Sequence, residues 1–401
     1  MGHSDLYACF GGFGPQYWTN LAAPNIDGKC HQLTICAVDG ETGAMRVHST
    51  VPGLESPSTL AVSPDQKYLY AGNESHDFGG RGFGGGVSAF CFDGKTGTAR
   101  LIGQSLAYGS STAYVTLDKT GRYLFAANHG SKYYCTRFEE TDGRLQPKVI
   151  RDEGCVCVFR LREDGGIGPL VDRLVLAGTG ADPVEHASAH PHSILLDDED
   201  FAVIPNKGGD NIYVCKFDRE AEKLNTLSVF QAEFGSSPRH ACFVPGTPYV
   251  LVQNEYDGHL CSYALDRARG TLTRISRLDS WDPARPARHP LLGDVHPWGI
   301  DVQLHPNGRF VFDNNTQGMV NTFALDRATG ELVLRHRFHL DGVAMTRGMQ
   351  LDPSGRFLAV TCVAAEKAVV FAVDQETGAL SPASEVSLPT PTALRFLYPE
   401  R

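Results

Sequence analysis

The sequence predicts an all-β protein, a seven-bladed β-propeller, from a turn motif that occurs seven times, a hairpin motif between its copies, and matching strands at the two chain ends. In the turn motif an apolar strand is followed by an acidic or polar residue, a glycine or its substitute, and a small or apolar residue. Such a unit, repeated about every 50–60 residues with several short strands in each, is typical of propellers. The copies are AVDGETGAM at Ala37, CFDGKTGTA at Cys91, FRLREDGGI at Phe159, CKFDREAEKL at Cys215, YALDRARGTL at Tyr263, FALDRATGEL at Phe323 and FAVDQETGAL at Phe371.

The second motif is an apolar strand, a turn marked by proline or glycine, and another strand that ends in most copies in asparagine. Alternating apolar residues on both sides of a turn predict a β-hairpin. The copies cover residues 59–73, 113–128, 192–206, 239–254, 300–315 and 348–362.

The seventh copy is divided between the chain ends, with LYACFGG at Leu6 and TALRFLY at Thr392. We expect these strands to pair and close the last blade, which removes free sheet edges. Because the repeat runs from end to end, residues 1–401 are predicted to form one domain. Long inserts interrupt the repeat at 11–31, 74–86, 129–154 and 280–298. The sequence assigns these inserts no role.

Composition excludes several classes of partner. The net charge is -10 and no run of Lys or Arg exceeds two residues, which argues against nucleic-acid binding. Eleven cysteines without a CxxC framework favour free thiols in a reducing compartment. The first ten residues lack a signal-peptide pattern, and no apolar run approaches the roughly 20 residues that span a bilayer. A cytoplasmic protein without membrane contact is expected, and the sequence specifies no oligomeric state.

The repeat also predicts where the chemistry lies. The innermost strand of each blade lines the channel and the next strand returns, so the start of the first strand and the end of the second meet at one face. Two rings of residues are therefore expected around the channel mouth. The first ring is Ser58, Ala113, His192, Arg239, Ile300 and Arg347, and the second is Glu74, His129, Lys207, Glu255, Thr316 and Val363.

The rings place several charged residues together, which is costly unless the charges pair or bind a ligand. Ion pairs that join blades are one explanation, and a site for an anionic, oxygen-rich small molecule is the favoured one. The histidines of HASAHPH could ligate zinc, but Pro191 interrupts the strand and no third ligand has suitable spacing. We therefore predict no metal and no cofactor. GDVHPWGID brings His296, Trp298 and Asp301 to the same mouth, and the absence of GxSxG leaves a serine hydrolase without support.

Three segments carry a resemblance that covers essentially the whole chain: HPHSILLDDEDFAVIPNKGGDNIYVCKFD, SSPRHACFVPGTPYVLVQNEYDGHLCSYALD, and HPNGRFVFDNN with TRGMQLDPSGRFLAVT. They resemble the lactonase family of seven-bladed propellers, which includes propeller-type 6-phosphogluconolactonase and fungal 3-carboxy-cis,cis-muconate cyclase. The resemblance implies a metal-free site around a His, an Arg, a Glu and further Arg residues. These positions fall on His192, Arg239 of PRH, Glu255 of NE, and Arg347.

The sequence departs from the family pattern at two ring positions. Asn315-Thr316 stands where an Asn-Arg pair is usual, and Val363 replaces a polar residue. One anion-binding arginine is therefore missing, and Arg285, Arg288 or Lys207 is a candidate to replace it.

The resulting prediction is a lactonase that hydrolyses an acidic or sugar-derived lactone in the channel mouth. Either His192 or Glu255 would be the general base, with Arg239 stabilising the oxyanion. Substrate binding is assigned to a further set of residues. This set is Arg347, Lys207, Glu74, His129, Trp298 and His240. A cycloisomerase that forms a lactone from a carboxy-muconate-like diacid is the alternative, and a non-catalytic interaction propeller is the third possibility.

Overall fold

In a computed structural model of the chain, the described residues are 6–15, 28–130, 134–183, 186–285, 288–289, 293–294 and 297–398. They contain 32 β-strands and a short 3₁₀ helix, Lys207–Gly209. Twenty-eight of these strands form seven antiparallel, four-stranded sheets. The predicted all-β, seven-bladed propeller is confirmed.

The strands are as follows, in chain order. Blade 7 takes its three outer strands from the N-terminal region, which are β1 (Tyr7–Gly12), β2 (Gln32–Val38) and β3 (Met45–Pro52). Blade 1 is β4 (Pro57–Val62), β5 (Tyr68–Asn73), β6 (Gly86–Asp93) and β7 (Thr98–Leu106). Blade 2 begins with β8 (Thr112–Leu117) and β9 (Tyr123–Asn128), carries the hairpin β10 (Tyr134–Thr141) and β11 (Arg144–Arg151), and ends with β12 (Cys155–Leu161) and β13 (Ile167–Val175).

The second half continues the pattern. Blade 3 is β14 (Leu195–Leu196), β15 (Phe201–Asn206), β16 (Asn211–Asp218) and β17 (Lys223–Gln231), and blade 4 is β18 (Pro238–Phe243), β19 (Tyr249–Asn254), β20 (His259–Asp266) and β21 (Thr271–Asp279). A short ribbon of β22 (Arg288–His289) and β23 (Gly293–Asp294) precedes blade 5, which is β24 (Gly299–Leu304), β25 (Phe310–Asn315), β26 (Met319–Leu325) and β27 (Leu332–His339). Blade 6 is β28 (Thr346–Leu351), β29 (Phe357–Cys362), β30 (Lys367–Val373) and β31 (Leu380–Ser387), and β32 (Pro391–Leu397) completes blade 7.

The chain ends close the ring as the sequence predicted. β32 is the innermost strand of blade 7 and pairs antiparallel with β1, with Tyr7 opposite Leu397 and Phe10 opposite Leu394. The propeller is therefore held shut by backbone hydrogen bonds between its first and last strands.

Each of the seven turn motifs joins the third and fourth strands of a blade, and its glycine has a packing reason. Gly43 has φ +71°, and a Cβ there would lie 2.5 Å from the ring of Phe357 on the neighbouring blade. Gly97 repeats this arrangement against Tyr7. Where glycine is replaced, in the Cys215 copy, Glu222 adopts φ +53° and accepts a hydrogen bond from Tyr123 Oη at 2.8 Å. The motif thus marks contacts between blades as well as turns.

The inner strand of blade 3 is shorter than predicted. The hairpin motif places a strand from His192 onward, but β14 has two residues, and before it lies an isolated bridge between Pro191 and Asn206. Pro191 has no N–H to donate to a ladder, which limits pairing at this point. His192 is nevertheless anchored, because its N–H donates to the Pro205 carbonyl at 3.1 Å.

No helix among the described residues is long and apolar enough to cross a membrane. All eleven cysteines lie in the described ranges as free thiols.

Candidate active site

All six residues of the predicted first ring line one pocket at the channel mouth, and this pocket is partly open to solvent. Glu74 of the second ring, His240 and Asp301 also line it. The other ionisable members of the second ring, His129, Lys207 and Glu255, are buried next to the lining residues.

Glu255 is held by two cations. Lys207 Nζ donates to Glu255 Oε1 at 2.8 Å, and Arg239 Nε donates to Oε2 at 2.7 Å. Burial favours the protonated acid, but the charges of Lys207 and Arg239 outweigh it and hold the pKa of Glu255 well below its usual range. Glu255 is therefore a permanent carboxylate whose two oxygens are both occupied.

Arg239 is also fixed from its other side. Its Nη1 donates to the Ile300 carbonyl and to His240 Nε2, which lies 3.1 Å away. Since a guanidinium can only donate, His240 Nε2 accepts and its proton is on Nδ1, which donates to Asp301 Oδ1 at 2.9 Å. Burial and the charge of Arg239 lower the pKa of His240 to about 4. Asp301 thus sets the tautomer of a neutral His240, and His240 orients Arg239.

The His192 imidazole has no comparable hydrogen bonds to other described residues. Its Nδ1 is buried and has no hydrogen-bond partner among the described residues. The ring lies between two other imidazoles, with centroids 5.7 Å from His129 and 5.3 Å from His240. Burial, then the positive charge of Arg239, lowers the pKa of His192 well below its ordinary value. His192 is therefore neutral at neutral pH and able to accept a proton.

Glu74 is, after Glu255, the second buried glutamate described at the site. Ser58 Oγ donates to Glu74 Oε2 at 2.7 Å, and His129 Nε2 lies 3.7 Å from Oε1. Burial favours the protonated acid, but the contacts with His129 and Ser58 lower the pKa of Glu74 overall. The His129 carbonyl in turn bonds His190 Nδ1, which fixes this loop against blade 3.

Arg347 is the cation with open hydrogen-bonding capacity. Its guanidinium lies over the Phe13 ring, 5.3 Å from the centroid, and its Nε is buried without a hydrogen-bond partner in the part of the chain that the structure describes. A cation on an aromatic face in a pocket wall is suited to bind an anionic ligand group.

Other predicted residues lie elsewhere. Trp298 does not belong to the pocket lining, and its ring stacks on Tyr256 with centroids 6.4 Å apart. Arg285 is exposed and lies 3.4 Å from Asp341, so it does not replace the missing family arginine in the pocket. Lys207 does not replace it as a free cation either, because it is paired with Glu255.

Four further sequence candidates concern metal binding and the insert at 280–298. His186 Nε2 bonds Ser237 Oγ at 2.7 Å, so it has a structural partner, as His190 has. No group of three or more possible metal ligands occurs among the described residues. His296 and the side chain of Arg288 lie outside the described residues.

Sequence reasoning missed several lining residues: Phe13, Tyr114, Gln303 and Arg395. Arg395 brings a third arginine into the pocket lining from β32, beside Arg239 and Arg347, and its Nη1 donates to the Leu394 carbonyl at 2.8 Å. The signal was an arginine inside TALRFLY, a charged residue among the apolar residues of an innermost strand. It was overlooked because this half-blade lacks the turn from which the rings were counted.

The chain matches the family model described as "Lactonase, 7-bladed beta-propeller" over residues 21–396. The chain belongs to this lactonase family. The predicted resemblance is therefore confirmed.

Similar proteins include a 6-phosphogluconolactonase of Formosa agariphila, which is 25% identical over 85% of this chain and 88% of its own length. The 6-phosphogluconolactonase of Bacillus subtilis is 22% identical over 90% of this chain and 93% of its own. Among solved structures, the periplasmic gluconolactonase PpgL of Pseudomonas aeruginosa superposes with a TM-score of 0.78 at 24% identity, covering 98% of this chain and 99% of its own. A putative 6-phosphogluconolactonase of Bacteroides fragilis gives 0.76 at 22% identity, with 98% and 97% covered. At these identities the structures show the fold alone.

Proposed function

We propose that this protein is a lactonase that hydrolyses an anionic, sugar-derived lactone of the 6-phosphogluconolactone type in the channel-mouth pocket. The observation that carries the proposal is a single pocket that combines an unrestrained neutral imidazole, His192, with two guanidinium groups, Arg239 and Arg347. The relatives named 6-phosphogluconolactonase support the substrate class. A cytoplasmic location remains part of the proposal and rests on the free cysteines.

His192 is the group best suited to be the general base. Its pKa is lowered, so the imidazole is unprotonated at neutral pH, and among the described residues no hydrogen bond occupies it. Because Nδ1 is buried, Nε2 is the nitrogen that would reach a water in the pocket. It would take a proton from water as the water oxygen attacks the lactone carbonyl carbon. The ring C–O bond then breaks, and the same proton passes to the leaving ring oxygen, giving a hydroxy acid.

Glu255 is a poor base for physical reasons. Both oxygens already accept hydrogen bonds from buried cations, so a water molecule would have to displace Lys207 or Arg239 to reach them. Its role in the proposal is to orient Arg239 and Lys207.

The guanidinium groups divide the remaining work. Arg239 uses Nε and Nη1 for bonds within the protein, which leaves Nη2 for the oxyanion that develops on the carbonyl oxygen. Arg347 would bind the phosphate or carboxylate of the substrate through charge-assisted hydrogen bonds.

Lactone formation by a cycloisomerase makes similar demands, because it also needs a proton donor and cations that bind carboxylates. The substrate therefore has to be tested directly. Proton NMR of the purified protein with 6-phosphogluconolactone, glucono-1,5-lactone and 3-carboxy-cis,cis-muconate follows all three reactions.

We expect loss of 6-phosphogluconolactone above its spontaneous rate, abolished in His192→Ala and retained in His48→Ala. His48 is an exposed histidine bonded to the Thr96 carbonyl and serves as the matched control. Conversion of the open diacid to a lactone would replace the proposal with the cycloisomerase. No turnover of any member would contradict both and favour the interaction propeller.

A further inference from the structure

The insert at 129–154 contains a hairpin, β10 and β11, that forms a two-stranded sheet of its own. It branches from blade 2 directly after β9, on the face where the pocket opens. Most of its side chains are exposed. Two strands without a third strand or a covering element are marginally stable in water, so this hairpin calls for a partner surface.

The two faces of the hairpin differ in chemistry. The pairing places Tyr134, Thr136, Phe138 and Glu140 on one face with their partners Arg151, Val149, Pro147 and Leu145. The other face carries Arg137, Glu139, Lys148, Gln146 and Arg144, with Cys135 and Ile150 at its base. The first face, called here the apolar face, is thus mostly apolar. Its other members are Thr136, Glu140 near the tip of the hairpin, where the turn lies, and Arg151 at its foot, where Tyr134 pairs with Arg151.

The apolar face is open to solvent. Tyr134 is 63% exposed, Phe138 66%, Leu145 72% and Val149 52%. Contiguous apolar surface of this kind is uncommon on soluble monomers and marks interaction sites.

We propose that the apolar face is a dimer contact that packs on the same face of a second copy of this chain. The two-fold axis lies in the plane of the contact and is perpendicular to the strands. It places the tip of one hairpin over the foot of the other. Thr136 and Phe138 then face each other across the contact, as do Val149 and Pro147.

The two charges on this face are placed for that arrangement. The Arg151 guanidinium lies over the Tyr134 ring, 5.2 Å from its centroid, at the foot of the hairpin. Glu140 is six residues further along β10, roughly 20 Å away at about 3.3 Å per residue. The two cannot pair within one hairpin, but in the two-fold arrangement each Glu140 lies above the partner copy's foot and meets its Arg151. The face is therefore complementary to itself.

The contact is small. From their exposed fractions, the apolar side chains offer roughly 500 Å² per copy, below the about 800 Å² of a standard interface. We therefore expect a dimer that forms at high micromolar and separates at low micromolar concentration. Pairing along the edge of β11 is disfavoured, because Pro147 has no N–H to donate.

The test is sedimentation equilibrium of the full-length chain over this concentration range, with reductant present because Cys135 is exposed. Glu140→Arg alone and Arg151→Glu alone should each abolish the dimer, since each places like charges opposite one another. The double variant Glu140→Arg/Arg151→Glu should restore it. Arg137→Glu, a charge reversal on the opposite face, should leave the dimer intact.

Restoration in the double variant can only come from contact between copies, because the two residues do not touch within one chain. A wild-type chain that is monomeric throughout the range overturns the proposal. A dimer that survives both single reversals, or that is lost in Arg137→Glu, also overturns it by placing the contact elsewhere. These outcomes do not depend on catalysis, so they leave the proposed activity untouched.

Discussion

Two groups of residues in the pocket differ in how completely their polar atoms are bonded. In the first group, Lys207, Glu255, Arg239, His240 and Asp301 form one continuous chain of hydrogen bonds. In the second, the imidazole of His192 and the guanidinium of Arg347 have no hydrogen bond to other described residues. The comparison shows that the charge of a residue at the channel mouth does not by itself define what the residue does. Bonded groups are positioned to orient others, whereas unbonded groups remain able to act on a substrate.

The largest expected effect is on His192. His192→Ala should lower kcat/KM for lactone hydrolysis by about 10²–10⁴-fold, because it removes the proton acceptor. The measurement is the rate above the spontaneous reaction, with His48→Ala as control. A rate within twofold of wild type would place the base among the bonded residues and break the comparison.

Glu255→Gln tests the bonded group through stability. The change keeps the shape of the side chain but leaves Lys207 and Arg239 buried without a counter-charge, which should cost about 3–5 kcal/mol of unfolding free energy. Urea unfolding measures it. Glu385→Gln, in an exposed pair with Lys367, should cost less than about 1 kcal/mol. If the two variants were equally stable, the network would have no structural role.

Arg347→Ala should act on binding. Loss of charge-assisted hydrogen bonds to a substrate anion should raise KM about 10–100-fold with a smaller change in kcat. A neutral lactone should show little of this effect, and Arg309→Ala, an exposed arginine near Glu376, should show none. An equal rise in KM for charged and neutral lactones would contradict an anion-binding role.

The sequence predicted the fold and the lining of the pocket because both depend on backbone geometry. Seven turn motifs imply seven blades, and a strand that starts at the mouth places His192, Arg239 and Arg347 there whatever their rotamers are. Which groups pair is a matter of side-chain reach, so the engagement of Lys207 with Glu255 could not be read from spacing. The sequence pattern placed Trp298 near the channel mouth, but in the structure its ring stacks on Tyr256.

The hairpin in the insert was missed although it has a local signal. Asp142-Gly143 lies between two alternating segments, and both residues have positive φ, +52° and +72°, as a tight hairpin turn requires. It was overlooked because the repeat was read as the whole pattern and the insert as an interruption of it.

The pH dependence gives a smaller effect with a definite sign. Because the His192 pKa is lowered well below its ordinary value, the base stays unprotonated as the pH falls through 6.5. kcat/KM should therefore hold steady across that pH and fall only in more acid solution, as His192 gains a proton. An acid limb centred near 6.5 would mean that the essential histidine is an exposed one.

The smallest effect is expected at Asp301, whose link to Arg239 runs through His240. Asp301→Asn removes the carboxylate that holds the His240 proton on Nδ1, so the imidazole can carry its proton on Nε2, where it would face Arg239 as a second donor. Arg239 then loses one of its anchors, and we expect kcat to fall by about tenfold, the loss of one hydrogen bond of about 1.4 kcal/mol, with KM nearly unchanged. A structural role alone would lower the unfolding free energy, since Asp301 also accepts from the Met349 N–H at 3.0 Å, but would not separate kcat from KM. If KM rose together with the fall in kcat, the hydrogen bonds from Asp301 through His240 would not act by orienting Arg239. The same would follow if a variant without a histidine at position 240 restored kcat.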